Sequence, residues 1–259
     1  MIHPTKSRMA RIISLLAGVF LIVAFPIQAA SKKVVLRWHG QSFFELQSSK
    51  GTRIIFDPHA IEAYGRITVR GDVVLISHYH NDHTQVDVVE DRARAKILVG
   101  LQGAGKKADW NAIDENIRDV HIRTVGVYHD DVKGLERGKN AVFVVEVDGL
   151  HVVHLGDLGH VLSEAQVKAI GPVDVLMIPV GGIYSINGSE AKKIVAQLKP
   201  RQYVLPMHYG TKVFDEVLPV DEFLEDQKPE NIKRFDSNEL VIDPAFKPAE
   251  PIIAVLNWK

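Results

Sequence analysis

From residue 33 onward short apolar runs alternate with turn residues, and the first of these runs read as strands. Val34–Trp38, Ser42–Leu46 and Arg53–Asp57 are rich in β-branched or aromatic residues and are separated by Gly or Ser-Lys-Gly turns. The run Val73-Val74-Leu75-Ile76-Ser77 is apolar up to its last residue, the pattern of a strand buried on both faces. Gln85–Ala95 predicts a helix: Val86, Val89 and Ala93 fall at helical spacing, with acidic residues early and Arg92 and Arg94 late, as the helix dipole prefers. In the second half Ala141–Val147 and Leu150–Leu155 predict a hairpin turning at Asp148-Gly149. Ser163–Ile170 predicts a helix with a Ser-x-x-Gln capping box, stopped by Gly171-Pro172. Val173–Ile178 and Gln202–Pro206 are predicted strands, with a helix over Ser189–Leu198 between them. Strands and alternating segments in both halves point to sheets covered by helices.

The N-terminus breaks this pattern. Lys6, Arg8 and Arg11 precede an apolar stretch from Ile12 to Phe25, and Pro26-Ile27-Gln28-Ala29-Ala30 supplies small residues where a signal peptidase would cut. About 14 apolar residues fall short of the roughly 20 that span a bilayer as a helix. Residues 1–29 are therefore expected to be a signal peptide, with cleavage after Ala29 and residues 30–259 as one domain. The protein would be exported to the periplasm or secreted, ahead of the alternative in which residues 12–25 remain as a membrane anchor.

Charge and composition narrow the chemistry. The chain has 31 basic and 32 acidic residues; removing the three basic residues of the leader leaves 28 minus 32, or −4. That balance gives no general attraction to nucleic acid, so a small-molecule substrate is expected. The chain has no Cys, which excludes disulfides, thiolate ligands and a Cys nucleophile. Any metal must be held by imidazole and carboxylate.

Such groups are concentrated after the apolar strand, in His78-Tyr79-His80-Asn81-Asp82-His83-Thr84. Four potential ligands within six residues are not a core-packing pattern. On an extended strand His78 and His80 share a face, while Asp82 and His83 fall where the chain turns toward the next element and can aim at a neighbouring point. That arrangement suits two metals a few Å apart.

The motif His-x-His-x-Asp-His after a buried strand resembles the hallmark of the metallo-β-lactamase superfamily, and the chain is most similar to its ascorbate-phosphate lactonase-like branch of metal-dependent hydrolases. The resemblance extends to Trp38-His39-Gly40-Gln41-Ser42-Phe43, Asp57-Pro58, Gly156-Asp157, Pro179-Val180-Gly181-Gly182-Ile183-Tyr184 and Pro206-Met207-His208-Tyr209-Gly210-Thr211. It implies an α/β (α+β) fold, the four-layer αββα sandwich, with the site at one edge between the sheets. It implies that His78, His80 and a later His hold a first metal. Asp82, His83 and His208 would hold a second, and Asp157 would bridge both. His129 is favoured over the nearby His121 as the third ligand of the first metal, although Asp130-Asp131 stand after it where the family carries small residues. Asp57 matches a carboxylate that supports the His run, and His154 either orients a ligand or is a satisfied core histidine. His39, His59, His151 and His160 carry no assignment.

The expected activity is hydrolysis of an ester-type bond, a lactone or phosphodiester, with Asp82 also accepting the proton of the attacking water. Two divalent ions are expected, zinc ahead of manganese or iron, since no thiolate biases the choice. Tyr184, Ser185 and Asn187 are candidate pocket residues. His80 argues against the flavin-linked di-iron branch, which typically has Glu there. The lack of Cys and the presence of Asp157 argue against many true β-lactamases. The alternative is a metal-binding or sensing protein of the same fold without turnover.

Overall fold

A computed structural model describes Met1 and residues 33–259, so the expected signal peptide beyond Met1 and its expected cleavage site lie outside the described residues. The apolar runs assemble into two large sheets. The first has six strands in the order Glu239–Ile242, Val34–Trp38, Phe44–Gln47, Arg53–Phe56, Val73–Ile76 and Lys96–Val99. The second has eight, in the order Asp114–Ile117, Val120–Tyr128, Lys139–Val147, Leu150–His154, Val175–Pro179, Tyr203–Met207, Ile252–Val255 and Ile232–Arg234.

Each sheet is antiparallel over one half and parallel over the other. Arg53–Phe56, Val73–Ile76 and Lys96–Val99 run parallel to one another, as do Leu150–His154, Val175–Pro179 and Tyr203–Met207. Parallel strands put their carboxyl ends, and the loops that leave them, on one edge. In open α/β sheets that edge is where ligands bind.

The strand period of two decides what packs where. Val73 and Leu75 join the main core between the sheets, with Leu36, Phe56, Phe143 and Val145. Val74 and Ile76 point the other way, into a smaller cluster with Phe43, Ile55, Val69 and Val89. The second sheet is covered on its far side by the helices Glu164–Ile170 and Gly188–Leu198, whose Ile170, Ala191 and Ile194 are buried in the main core. Both helices begin with a complete capping box: Ser163 with Gln166, and Asn187 with Glu190.

The outer layer of the first sheet corrects one expectation. Gln85–Ala95 is not a helix. It forms a 3-10 turn at Val86–Val88, a two-residue strand at Val89–Glu90 paired with Val69–Arg70, and a second 3-10 turn at Arg92–Arg94. Val86, Val88 and Val89 lie over Ile55, Val74 and Ile76, and Asp91 adopts the left-handed conformation at φ 52°. A sheet face covered by stiff β-branched side chains favours extended backbone here over the 3.6-residue repeat.

Candidate metal centre

Every side chain of the expected site leaves the carboxyl end of a strand. Asp57 follows Arg53–Phe56, the His run follows Val73–Ile76, and His129 follows Val120–Tyr128. Asp157 comes three residues after Leu150–His154, and His208 directly follows Tyr203–Met207. His78 and His80 are not on the strand itself, which ends at Ile76; they sit on the bend beyond it, and Asp82 and His83 on the 3-10 turn Asn81–His83. The rings converge all the same.

Two donor groups result. In the first, His78 Nε2 lies 3.0 Å from His80 Nδ1, which lies 3.1 Å from His129 Nε2. In the second, His83 Nε2 lies 3.5 Å from Asp82 Oδ2, and Asp82, His83, Asp157 and His208 present ligand atoms within 4.8 Å of one another. Asp157 Oδ2 stands between the groups: 3.1 Å from His83 Nε2, 3.2 Å from His208 Nε2 and 3.4 Å from His129 Nε2. His121 is elsewhere, at the start of its strand, against Asp114 at 2.6 Å and Glu146 at 3.4 Å. Of the two candidate third histidines, only His129 reaches the cluster.

The hydrogen-bond network assigns the ring protons. Asp57 accepts hydrogen bonds from the Ser77 backbone N–H at 2.7 Å and from Ser77 Oγ at 2.6 Å. The Ser77 hydroxyl has therefore spent its proton, and its contact of 2.9 Å with His78 Nδ1 makes His78 the donor. The Nε2 lone pair of His78 is thus left to face His80 and His129. On the other ring Asp57 Oδ2 lies 3.0 Å from His83 Nδ1, which turns His83 Nε2 toward Asp157. Ser42 Oγ donates to Asp157 Oδ1 at 3.2 Å, leaving Oδ2 for the cluster. Ser42 and Ser77 lie within runs quoted from the sequence, but the sequence assigns neither a role.

This arrangement fits bound cations better than a closed set of hydrogen bonds. Both His83 ring nitrogens are buried without an aligned hydrogen-bond partner despite their close carboxylates. Nitrogens about 2.0–2.1 Å from a tetrahedral zinc ion stand about 3.3–3.4 Å apart, close to the separations within the first group. The charges conform. Burial disfavours charge on His83, but Asp157 and Asp57 outweigh it and hold its pKa well above the usual imidazole range. Burial would raise Asp157, yet His208 and His83 keep it well below the usual carboxylate range. Burial and the neighbouring His83 push His78 well down.

Two further buried histidines have structural partners. His154 is stacked on Phe56; its Nε2 donates to the Ser42 carbonyl at 2.9 Å and its Nδ1 accepts from the Gly156 N–H at 3.1 Å. It steadies the two loops that carry Ser42 and Asp157 and touches no ligand ring with a hydrogen bond. His59 is buried with Nε2 3.2 Å from both the His39 and Gly40 carbonyls, and burial pushes its pKa down to about 4.

The sequence comparisons agree with the site. The family model of the β-lactamase superfamily domain matches residues 35–208, from the first strand to the last of the converging histidines. The chain belongs to the metallo-β-lactamase superfamily. Within that superfamily it is similar to the UPF0173 metal-dependent hydrolases. One from Thermococcus onnurineus is 33% identical over 196 residues, 69% of this chain and 85% of the relative. A crystal structure of a proposed zinc-dependent hydrolase from Thermotoga maritima superposes with a TM-score of 0.65 at 35% identity, covering 86% of this chain and 98% of that one. Igni18, a metallo hydrolase from Ignicoccus hospitalis, shares the fold at a TM-score of 0.52 and 22% identity, over 71% of this chain and 86% of its own. Metal-dependent hydrolases of this superfamily are thus the setting in which the His/Asp cluster is to be understood.

Proposed function

We propose that the chain is an exported hydrolase that uses two divalent cations to cleave an ester-type bond, a lactone or phosphodiester, in a small molecule. The observation that carries this reading is the position of Asp157, one oxygen of which is within 3.4 Å of a nitrogen from each donor group. His78, His80 and His129 would hold one cation, Asp82, His83 and His208 the other, and Asp157 would bridge them. Zinc suits this donor set, with manganese or iron as substitutes.

Bound cations supply an ionised water near neutral pH and polarise the oxygen of the scissile group. The protein's own groups do the rest. Asp82 has 37% of its side chain exposed and lines the cleft above the cluster, where it can accept the proton of the attacking water. Asp157 is buried, accepts a hydrogen bond from Ser42 and would be committed to the cations, which leaves it no such freedom. Of the candidate pocket residues, Tyr184 lines this cleft and Ser185 a neighbouring hollow, while the side chain of Asn187 is committed to capping the helix Gly188–Leu198. Export is supported by the basic residues, apolar run and small residues of the first 30 positions.

The test is elemental analysis of the purified protein together with hydrolysis of bis(4-nitrophenyl) phosphate and a panel of lactones. Two metal equivalents and turnover are expected, with Asp157→Ala losing at least one equivalent. Unchanged stoichiometry in that variant would overturn the bridging role, and two metals with no turnover on any substrate would favour a metal-binding protein instead. Export is checked by N-terminal sequencing of the protein from the periplasm or medium, where a start at Ala30, within one residue, is expected.

A further inference from the structure

Above the cluster opens a cleft of about 440 Å³. Ile61, Phe214 and Tyr184 give it apolar walls, Asp82 and Glu216 give it acid groups, and Arg137 is the one cationic side chain among its lining residues. Arg137 also lines the two neighbouring hollows, so it stands where the cleft meets solvent. We propose that Arg137 anchors a compact oxyanion, a carboxylate or phosphate, carried by the substrate away from the bond that is cleaved. This rests on the hydrolase reading above and adds the substrate class: an anionic ester with an apolar stem.

Three observations support it. The guanidinium is held in place without a carboxylate partner among the described residues: its Nη2 donates to the Ile183 carbonyl at 3.1 Å, and its centre lies 5.0 Å above the Tyr184 ring. A guanidinium has five N–H donors in a planar fork suited to carboxylate and phosphate, and a single carbonyl leaves most of them free. The loop that carries it is also constructed with care. Asp130, next to His129, accepts backbone N–H bonds from Val132 at 3.0 Å, Gly134 at 2.6 Å, Glu136 at 3.1 Å and Arg137 at 2.8 Å. The acidic residue that departs from the family's usual pattern is thus a positioning residue that fixes Arg137 relative to the His129 ring. Finally, the strained backbone at Ile183, a β-branched residue at φ 61°, presents the carbonyl that Arg137 uses.

The test is isothermal titration of the protein as purified, its metal content measured, with three ligands that share one carboxylate and a three-carbon stem: valerate, glutarate and 4-phosphonobutyrate. Wild type is expected to bind glutarate or 4-phosphonobutyrate at least about tenfold more tightly than valerate, as a charge-assisted hydrogen bond warrants. The anionic tail with the wider margin identifies the source of the oxyanion. Arg137→Gln should erase that margin and leave valerate within about twofold of wild type, while Arg137→Lys should keep part of it. If Arg137 served only to pack Tyr184, all three ligands would weaken together, which would overturn the proposal. So would the absence of a margin in wild type, or its survival in Arg137→Gln. Because the margin is a difference in binding, it can stand even if no ester is turned over, which separates this inference from the hydrolase reading.

Discussion

Asp57 shows how one buried carboxylate can set two metal-facing rings. It reaches His83 directly and His78 through Ser77, and it leaves its strand at φ 42° to do so. Outer hydrogen-bond partners of this kind typically change metal affinity by about 10–100-fold. Asp57→Asn is expected to weaken metal binding by about that factor, since the amide must offer a donor where only acceptors are wanted. Competition against a chromogenic chelator measures it, and unchanged affinity would show that Asp57 does not orient the rings. At this scale the sequence was informative about residue types and silent about their handles. The His run, Asp157 and His208 stand beside glycines and strand ends that expose them. Nothing in the pattern marked Ser77 as the link between Asp57 and His78, or Arg137 as the lone cation of the cleft, because both depend on which loops meet in space.

Among the elements, the loops that carry the ligands can approach only because certain neighbours lack a side chain. A Cβ on Gly181 would lie 2.2 Å from the His208 carbonyl oxygen, and one on Gly159 would lie 2.2 Å from the His129 carbonyl carbon. Gly181 also donates its backbone N–H to that His208 carbonyl at 3.1 Å. Gly181→Ala is therefore expected to cost about 1–3 kcal/mol by forcing the backbones apart. It should also lower metal occupancy more than a similarly destabilising change remote from the site. Thermal melts with elemental analysis decide this; full occupancy at reduced stability would separate the turn from the site. The capped helices were legible because a Ser or Asn followed three residues later by Gln or Glu is a local signal. The segment 85–95 was misread because its valines also fit helical spacing, and only the flat face of Ile55, Val74 and Ile76 selects the extended form. The strands Ile232–Arg234, Glu239–Ile242 and Ile252–Val255 were not anticipated. They are three or four residues long and owe their existence to partners far away in the chain, Ile252–Val255 to Tyr203–Met207 and Glu239–Ile242 to Val34–Trp38.

Taken as a whole molecule, the two sheets meet across the site through few but specific bonds. The Ala141 N–H donates to the Ser77 carbonyl at 3.1 Å, and Ser42 donates across to Asp157. Ligands that bind only the folded state stabilise it in proportion to the logarithm of their concentration, by about 2.7 kcal/mol at one hundred times Kd. Stripping the metals with a chelator should lower the melting temperature by several degrees, and zinc should restore it. A melt unmoved by both treatments would argue that the cluster holds no cation. The two-sheet architecture follows from the strand pattern and the family resemblance together, whereas the pattern alone could not say which strands are neighbours.

His78, His80 and His83 follow a strand of one sheet, and His129, Asp157 and His208 follow strands of the other. Neither half owns a complete set of donors, so ions in this position would act as rivets across a seam. Capture of metal then has to wait until both halves have formed and docked. A protein whose seam frays should leak its ions before its strands melt, making metal release an early reporter of damage.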